Sequence, residues 1–442
     1  MKSDISGFPE FLPNEQIAFN KAVDTIKSHF ELYGFVPMDT PAVERISTLL
    51  AKGNDSEIYG LYRLASEEND KKELGLRFDL TVPLARYVSL YNGHLTFPHK
   101  RYQIAPVWRG ERPQFGRYRQ FYQCDVDIIG NDELSTAHDA EIISLINNAL
   151  LSLNIPKFST KINNRKILGG FLKTIVPESK VTDIIRIIDK IDKISSKEFV
   201  ESIKNHNVDV KDITKIRNFL DIEEKKLDNS EMISWLKGLS FNAEFASGAS
   251  EVEEVINLLK KFGINDKSVK ISMKLARGLA YYTGNVFETS FDDIKDMGSI
   301  AGGGRYDDLA AMVSDKKFPG VGGTIGISRL IPKLLESGYI KCDKFSTAQL
   351  LVTVQNRNFI GSYMKLSEKF RKLGIKTETY LQEKNLGSQL SYADKKGIKH
   401  VLIANDVELL ENKAIIRNME TKEQTVIRTE YMNKEIINLL NK

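Results

Sequence analysis

Lys100–Gly130 reads KRYQIAPVWRGERPQFGRYRQFYQCDVDIIG. Two β-prone runs flank a basic loop, and beyond the loop Phe121, Gln123, Asp125 and Asp127 alternate with Tyr122, Cys124 and Val126. That alternation has the period of a strand, so the stretch predicts strand, loop, strand. Five arginines lie in it: Arg101, Arg109, Arg112, Arg117 and Arg119. Arginines near the loop can grip phosphates bidentately, while acids farther along the strand suit an amine or another cation. Trp108, Phe115, Phe121 and Tyr122 stand among the charges and offer faces on which a base can stack, which a merely solvated hairpin does not need.

The chain around this stretch has 442 residues, room for about two to four domains. With 41% hydrophobic and 28% charged residues it has the composition of a soluble globular protein. No apolar run is long enough for a bilayer, and MKSDISGFPEFLP carries no signal-peptide core, so a cytoplasmic protein without membrane contact is expected. Cys124 and Cys342 form no CxxC pair, which argues for a reducing compartment and against structural zinc. The net charge of +4 says little, but residues 344–442 hold 17 Lys and Arg against 11 Asp and Glu. A basic C-terminal module suits a polyanionic partner; scattered surface charge of that size is also common.

Toward the N-terminus, Ile17, Phe19, Ala22, Val23, Ile26 and Phe30 predict a helix over 15–33 that ends at Gly34. Pro37 and Pro41 restrict the next segment to an edge strand. A hairpin is expected between Lys52 and Glu73, then a strand and helix across Leu74–Val88 with Pro83 in the first helical turn. Asp79 and Thr81, two apart, would share one side of that strand and offer an acceptor and a hydroxyl to an ammonium group; Thr81 equally fits a helix N-cap.

Toward the C-terminus, a helix is expected over Asp139–Leu151 and a Lys-, Ile- and Glu-rich helical insertion over 155–268. LARGLAYYTGNVFE at Leu275–Glu288 and AGGGRYD at Ala301–Asp307 each set an arginine beside a glycine turn, a pattern that suits an anion site. Gly320–Leu335 reads as a glycine-rich strand leading into a helix that carries Arg329. No GxxxxGK[ST] occurs, so any ATP must be held by arginines and not by a P-loop lysine. From Ala348 strands alternate with helices, an α/β module of about one hundred residues.

These motifs together resemble the class II aminoacyl-tRNA synthetases, and within them the histidyl-tRNA synthetase family. Gly34–Pro41 is similar to motif 1, Arg109-x-Glu111 through Arg117, Phe121 and Asp125 to motif 2, and Gly326–Leu330 with Arg329 to motif 3. RGLxYYTG at Arg277–Gly284 and AGGGRYD at Ala301–Asp307 carry the histidine-specific part. The resemblance implies an α/β protein with an α+β catalytic core, a six-stranded antiparallel sheet flanked by helices. It divides the chain into catalytic core (1–154 and 269–340), helical insertion (155–268) and C-terminal α/β anticodon-binding domain (345–442). A homodimer is implied through motif 1.

The implied reaction joins L-histidine and ATP into histidyl-adenylate, then transfers histidine to the 3′ end of the histidine tRNA. Arg109 and Arg277 are the implied catalytic residues, on the α-phosphate, with Glu111, Phe121 and Arg329 also on ATP. Asp79, Thr81 and Gln123 would take the α-amino group, and Asp127 and Tyr282 the imidazole, with Tyr281 and Tyr306 completing the pocket. Asp125 completes the class-wide motif, while Asp127 occupies the position that reads the ring. Arg112 and Gln114 would meet the tRNA, and Mg²⁺ would arrive on the phosphates without a protein metal site. Ala280 departs from the acid that many relatives carry there. The alternative reading is the regulatory subunit of ATP phosphoribosyltransferase, a histidine-sensing relative.

Overall fold

The computed structural model describes residues 5–50, 57–63, 73–114, 116–276, 282–294, 297–307, 316–429, 437 and 440. The chain forms two compact units, one of residues 1–9 with 22–339 and one of residues 10–21 with 340–442. Helix α1 (Pro13–Leu32) is followed by Gly34 at φ +79°, the left-handed stop that glycine adopts without strain. Strand β1 (Val36–Pro37) pairs in parallel with the 99–108 strand at the sheet margin, where the missing proline N–H costs nothing.

A small sheet joins β2 (Val43–Arg45), which leads into α2 (Ile46–Leu50), with β3 (Gly60–Leu61) and β4 (Leu74–Leu76), in the order β2-β4-β3. The hairpin expected between Lys52 and Glu73 lies largely outside the described residues. Helix α3 (Thr81–Tyr91) buries Leu84, Ala85 and Val88 against Ile129, Tyr306 and Phe318. Asp79 sits ahead of this helix and not on a strand, so its neighbourhood with Thr81 comes from the helix start. The expected strand pairing of the two is replaced because the Asp79 carboxylate accepts the Val82 N–H at 3.0 Å, capping the first turn.

The Lys100–Gly130 stretch forms β5 (His99–Trp108) and β6 (Gln120–Ile129), paired antiparallel over their whole length with Arg101 opposite Asp127. Helix α4 (Ala137–Ser152) buries Ile142, Ile143, Leu145, Ile146 and Leu150, each worth roughly 2 kcal/mol of apolar burial as an upper figure. The segment expected as a helical insertion opens on β7 (Phe158–Asn164), a strand of the main sheet whose Phe158, Thr160 and Ile162 point inward. Helices α5 (Arg165–Leu172), α6 (Glu178–Ile188), α7 (Ser196–Lys204), α8 (Val210–Leu220), α9 (Asn229–Leu239) and α10 (Ala243–Lys261) follow. Their amphipathic repeats pack on one another, with Phe171, Phe219, Trp235, Phe241 and Phe245 in mutual ring contact.

The sheet is completed by β8 (Val269–Ile271), β9 (Asn285–Phe291), β10 (Ser299–Tyr306) and β11 (Gly320–Ile325), which leads into α11 (Ile327–Glu336). The strand order is β1-β5-β6-β11-β10-β9-β7-β8. Its six inner strands are the antiparallel core, and the edges add a parallel-paired strand on each side, giving eight where six were expected.

The second unit holds β12 (Leu350–Val352), α12 (Ile360–Lys372), β13 (Thr377–Thr379), α13 (Leu386–Lys395) and β14 (His400–Ile403), the alternation the sequence predicts. After the short helix α14 (Asp406–Leu410), β15 (Lys413–Asn418) and β16 (Gln424–Arg428) add an antiparallel hairpin, for a sheet ordered β13-β12-β14-β15-β16. Its core gathers Leu350, Tyr363, Phe370, Leu402 and Ile416.

Arg305 does not face an anion site. Its guanidinium is buried against Asp139, with Nη2 at 2.8 Å from Oδ1 and Nε at 3.2 Å from Oδ2, and donates to the Leu134 and Ser135 carbonyls. It ties β10 to the start of α4. Removing it leaves a buried carboxylate unpaired, so Arg305→Met is expected to lower unfolding free energy by about 3–5 kcal/mol, read by urea denaturation.

Candidate active site

Strand alternation sends Gln123, Asp125 and Asp127 of β6 to one face, where they line a narrow polar pocket with Asp79, Thr81, Arg109, Tyr282 and Tyr306. The sheet beside them is glycine-rich: Gly322 and Gly323 from the paired strand β11, and Gly302 from β10 next to it. A Cβ on Gly322 would lie 2.0 Å from Asp127 Oδ1, and one on Gly303 would lie 2.0 Å from the Gly322 carbonyl. Glycine is therefore demanded twice over, for strand contact and for the space that the carboxylate fills.

Tyr306 donates its hydroxyl to Asp127 Oδ1 at 2.6 Å, and Arg101 Nη2 stands 2.7 Å from Oδ2. The latter contact is ionic without hydrogen-bond alignment, so Oδ2 is still an open acceptor. Gln123 turns its Nε2 toward Asp125 Oδ1 at 3.3 Å, which leaves its own buried Oε1 open as well. Asp127 Oδ2 and Gln123 Oε1 are thus buried without a hydrogen-bond partner among the described residues, a state that costs free energy. Thr283 binds Asp307 at 2.6 Å and pins the ends of β9 and β10 beside Tyr282 and Tyr306.

Burial raises all three carboxyls. Asp79 is pushed up to about 6 despite the N–H of Val82 and the charge of Arg109. Asp125 rises to about 7 through burial and the neighbouring Asp127 charge. Asp127 is also raised by burial, against the pull of Arg101 and the Tyr306 hydroxyl. Tyr306 is raised well above its ordinary value by burial beside Asp127, so it stays a donor.

A cavity of about 1100 Å³ adjoins this pocket. Arg109, Glu111, Gln114, Arg117, Phe121 and Arg329 line it, and Arg109, Gln123 and Thr324 line both spaces. Arg109 Nε donates to the Phe78 carbonyl at 3.0 Å, and its guanidinium lies 5.0 Å from the Phe121 ring centre. Arg329 projects from α11 and donates to the carbonyls of Gly116 at 2.7 Å and Ser299 at 3.2 Å. Glu111 is paired with Arg117, which holds the carboxyl below its usual range against the opposing effect of partial burial.

Most sequence-predicted residues therefore converge: Asp79, Thr81, Gln123, Asp127, Tyr282 and Tyr306 in the pocket, and Arg109, Glu111, Gln114, Phe121 and Arg329 in the cavity. Arg112 is exposed on the loop and lines neither space. Arg277, Ala280 and Tyr281 lie outside the described residues. Asp125 lines the pocket beside Asp127, and Arg101 stands behind it; from sequence Asp125 has a place in motif 2 only, and neither residue is assigned to a substrate group. The signal was present, because Asp125 shares the alternation and Arg101 falls opposite Asp127 in a symmetric hairpin. Lys161 and Glu288, cross-strand neighbours on β7 and β9, also line the cavity and had no local motif to reveal them.

The family model described as Histidyl-tRNA synthetase matches residues 7–330. The chain belongs to the histidyl-tRNA synthetase family. A second model, Anticodon binding domain, matches residues 349–439. A histidine–tRNA ligase of Clostridium tetani is 42% identical over 99% of this chain and 100% of its own length. The solved histidyl-tRNA synthetase of Nostoc sp. PCC 7120 superposes with a TM-score of 0.89 at 35% identity, covering 100% of this chain and 99% of that one. A Bacillus halodurans structure described as an ATP phosphoribosyltransferase regulatory subunit/histidyl-tRNA synthetase reaches a TM-score of 0.73 at 20% identity over 89% of this chain and 96% of that one, a likeness of fold alone.

The raised Asp125 has a stability consequence. Unfolded, it ionises in the ordinary carboxylate range; folded, it keeps its proton to about pH 7. The unfolded state is thus the one that has lost the proton between those values, and the stability Asp125 allows falls as pH rises through them. Asp125→Asn is expected to melt close to wild type near pH 4, and progressively above it up to about pH 8, in calorimetry of the ligand-free protein.

Proposed function

We propose that this chain activates L-histidine with ATP and transfers it to the 3′ end of the histidine tRNA. The observation that carries this reading is the junction at Arg109 between a carboxylate-rich pocket with open acceptors and a large arginine-lined cavity. An amino acid in the pocket presents its carboxylate at that junction, where ATP in the cavity presents its α-phosphate.

The α-ammonium is assigned to Asp79, Thr81 and the open Oε1 of Gln123. The imidazole N–H is assigned to Asp127, with Tyr282 at the other ring nitrogen and Tyr281 and Tyr306 completing the enclosure. A site whose buried polar groups need these donors rejects apolar isosteres, which would leave them unpaired. Phe121 carries the adenine, Glu111 contacts ATP, and Arg329 takes the γ-phosphate.

A histidine carboxylate oxygen attacks the α-phosphorus, a new P–O bond forms, and the bond to the β-phosphate oxygen breaks to release pyrophosphate. Negative charge grows on the α-phosphoryl oxygens, and Arg109 and Arg277 are the fixed cations for it. The tRNA 3′-terminal hydroxyl then attacks the histidyl carbonyl and AMP leaves. Arg112 and Gln114 on the motif 2 loop are assigned to the tRNA end, and the basic second unit to the anticodon.

Mg²⁺ fits as a companion of ATP, since Glu111 and Glu288 offer carboxylates in the cavity. Phosphate oxygens and water would complete its shell and it would neutralise phosphate charge. A homodimer through the motif 1 segment is in keeping with the exposed Val36 on the edge strand β1. A cytoplasmic location is supported by two free cysteines; among the described residues no helix is long and apolar enough to cross a membrane. The regulatory-subunit alternative is not favoured, since the match to the anticodon domain spans the second unit.

Histidine-dependent ATP–pyrophosphate exchange on purified protein tests the reading, and its absence would overturn it. Arg277→Ala is expected to lower the exchange rate about 10²-fold or more while KM for histidine stays within about threefold. Unchanged turnover would remove Arg277 from the reaction.

A further inference from the structure

Behind the pocket, Arg101 is fully buried in the floor, 0% exposed. Its position on β5 is opposite Asp127 on β6. Nη2 meets Asp127 Oδ2 at 2.7 Å and the Leu80 carbonyl at 3.2 Å, while Nε and Nη1 have no hydrogen-bond partner among the described residues. An arginine held out of water with such sparse partners is a poor stabilising device, because desolvating the cation costs several kcal/mol and an apolar side chain of similar volume would fill the space. Its charge is the property that packing alone does not require.

We propose that Arg101 is a positioning residue for histidine selection, holding Asp127 ionised and aimed so that its open oxygen accepts the imidazole N–H. The inference rests on the histidine-activating reading above and deepens it. The groups around Asp127 make the need for a cation plain. Asp125 faces it from its own strand, Tyr306 from β10, Tyr282 from the approach to β9, and Asp79 from the start of α3; β11 brings Gly322, Gly323 and the uncharged Thr324. Arg109 stands on the pocket wall. With Arg101 present, two arginines face the three carboxyls, of which Asp125 keeps its proton to about pH 7, so Asp127 can carry its charge. Without it, Arg109 alone faces them, and protonation of Asp127 relieves the repulsion. A protonated Asp127 turns a donor toward the ring and no longer discriminates for the N–H.

The experiment is steady-state ATP–pyrophosphate exchange on the full chain across about pH 6.5–9. Arg101→Met is expected to raise KM for histidine about tenfold or more at neutral pH while KM for ATP stays within about twofold. That excess should shrink as pH rises, because Asp127 recovers its charge, and wild type should lack the slope. Arg101→Lys should restore most of the affinity. Histidine KM unchanged in Arg101→Met, or KM for both substrates rising together with a pH profile parallel to wild type, would overturn the proposal.

Since Arg101→Met leaves a carboxylate unbalanced and can compromise folding, the comparison is repeated on an Asp125→Asn background. Arg101→Met/Asp125→Asn lacks the neighbouring carboxyl that would repel Asp127, yet Asp127 has still lost its fixed partner, so its KM for histidine at neutral pH must exceed that of Asp125→Asn alone; equal values would overturn the role of Arg101. Wild type without histidine-dependent exchange would instead overturn the functional reading.

Discussion

Three carboxylates held out of water on one pocket floor are the constraint on which the catalytic unit depends. Asp79, Asp125 and Asp127 are each nearly inaccessible, and burial raises the proton affinity of all three. The fold tolerates them because charge and hydrogen bonds are delivered from several elements at once: Arg101 from β5, Tyr306 from β10, the Val82 N–H from α3. The arrangement is incomplete without a ligand, since Asp127 Oδ2 and Gln123 Oε1 have no donor. On the proposed reading, a bound amino acid with an ammonium and a ring N–H would supply what is missing, so that substrate binding and pocket stability would draw on the same interactions.

The glycines of β10 and β11 are the geometric counterpart of that charge cluster. In sequence AGGGRYD looks like a glycine turn beside an anion site, and GVGG like a glycine-rich strand. In the fold they are regular strand, and their lack of side chains lets Gly303 meet β11 and leaves Gly322 room for the Asp127 carboxylate. The arginine that follows is likewise structural: Arg305 turns to Asp139, while the next residue, Tyr306, turns to the pocket. Strand alternation divides two adjacent residues between scaffold and site.

The helical segment from α5 to α10 is more than an appendage of the core. Asp189, Asp192 and Lys193, beyond the end of α6, reach the large cavity, as do Lys161 and Lys274 from the strands and loop that bracket the segment. The cavity therefore has one wall from the loop after β5 with Arg109 and Arg117, from β6 and from α11 with Arg329, and another of mixed charge. Polar walls of both signs suit a triphosphate with its counter-ion on one side and a ribose and base on the other.

The strand–loop–strand at Lys100–Gly130, the helix stop at Gly34, the edge strand at Pro37 and the α/β alternation after Ala348 were all legible in the chain, because each follows from local periodicity or from proline and glycine stereochemistry. So were the residue types of the site, since phosphate and amine recognition demand arginines, acids and tyrosines in quantity. The sequence by itself determined the family, the core elements and most of the residues that meet in the two cavities. Only the tertiary structure decided that Asp79 acts from a helix start, that residues 158–164 join the main sheet and that Arg305 is scaffold. It alone made the Arg101–Asp127 register a fully buried ion pair, because hairpin symmetry gives the register while burial and the competition for partners depend on every neighbouring element.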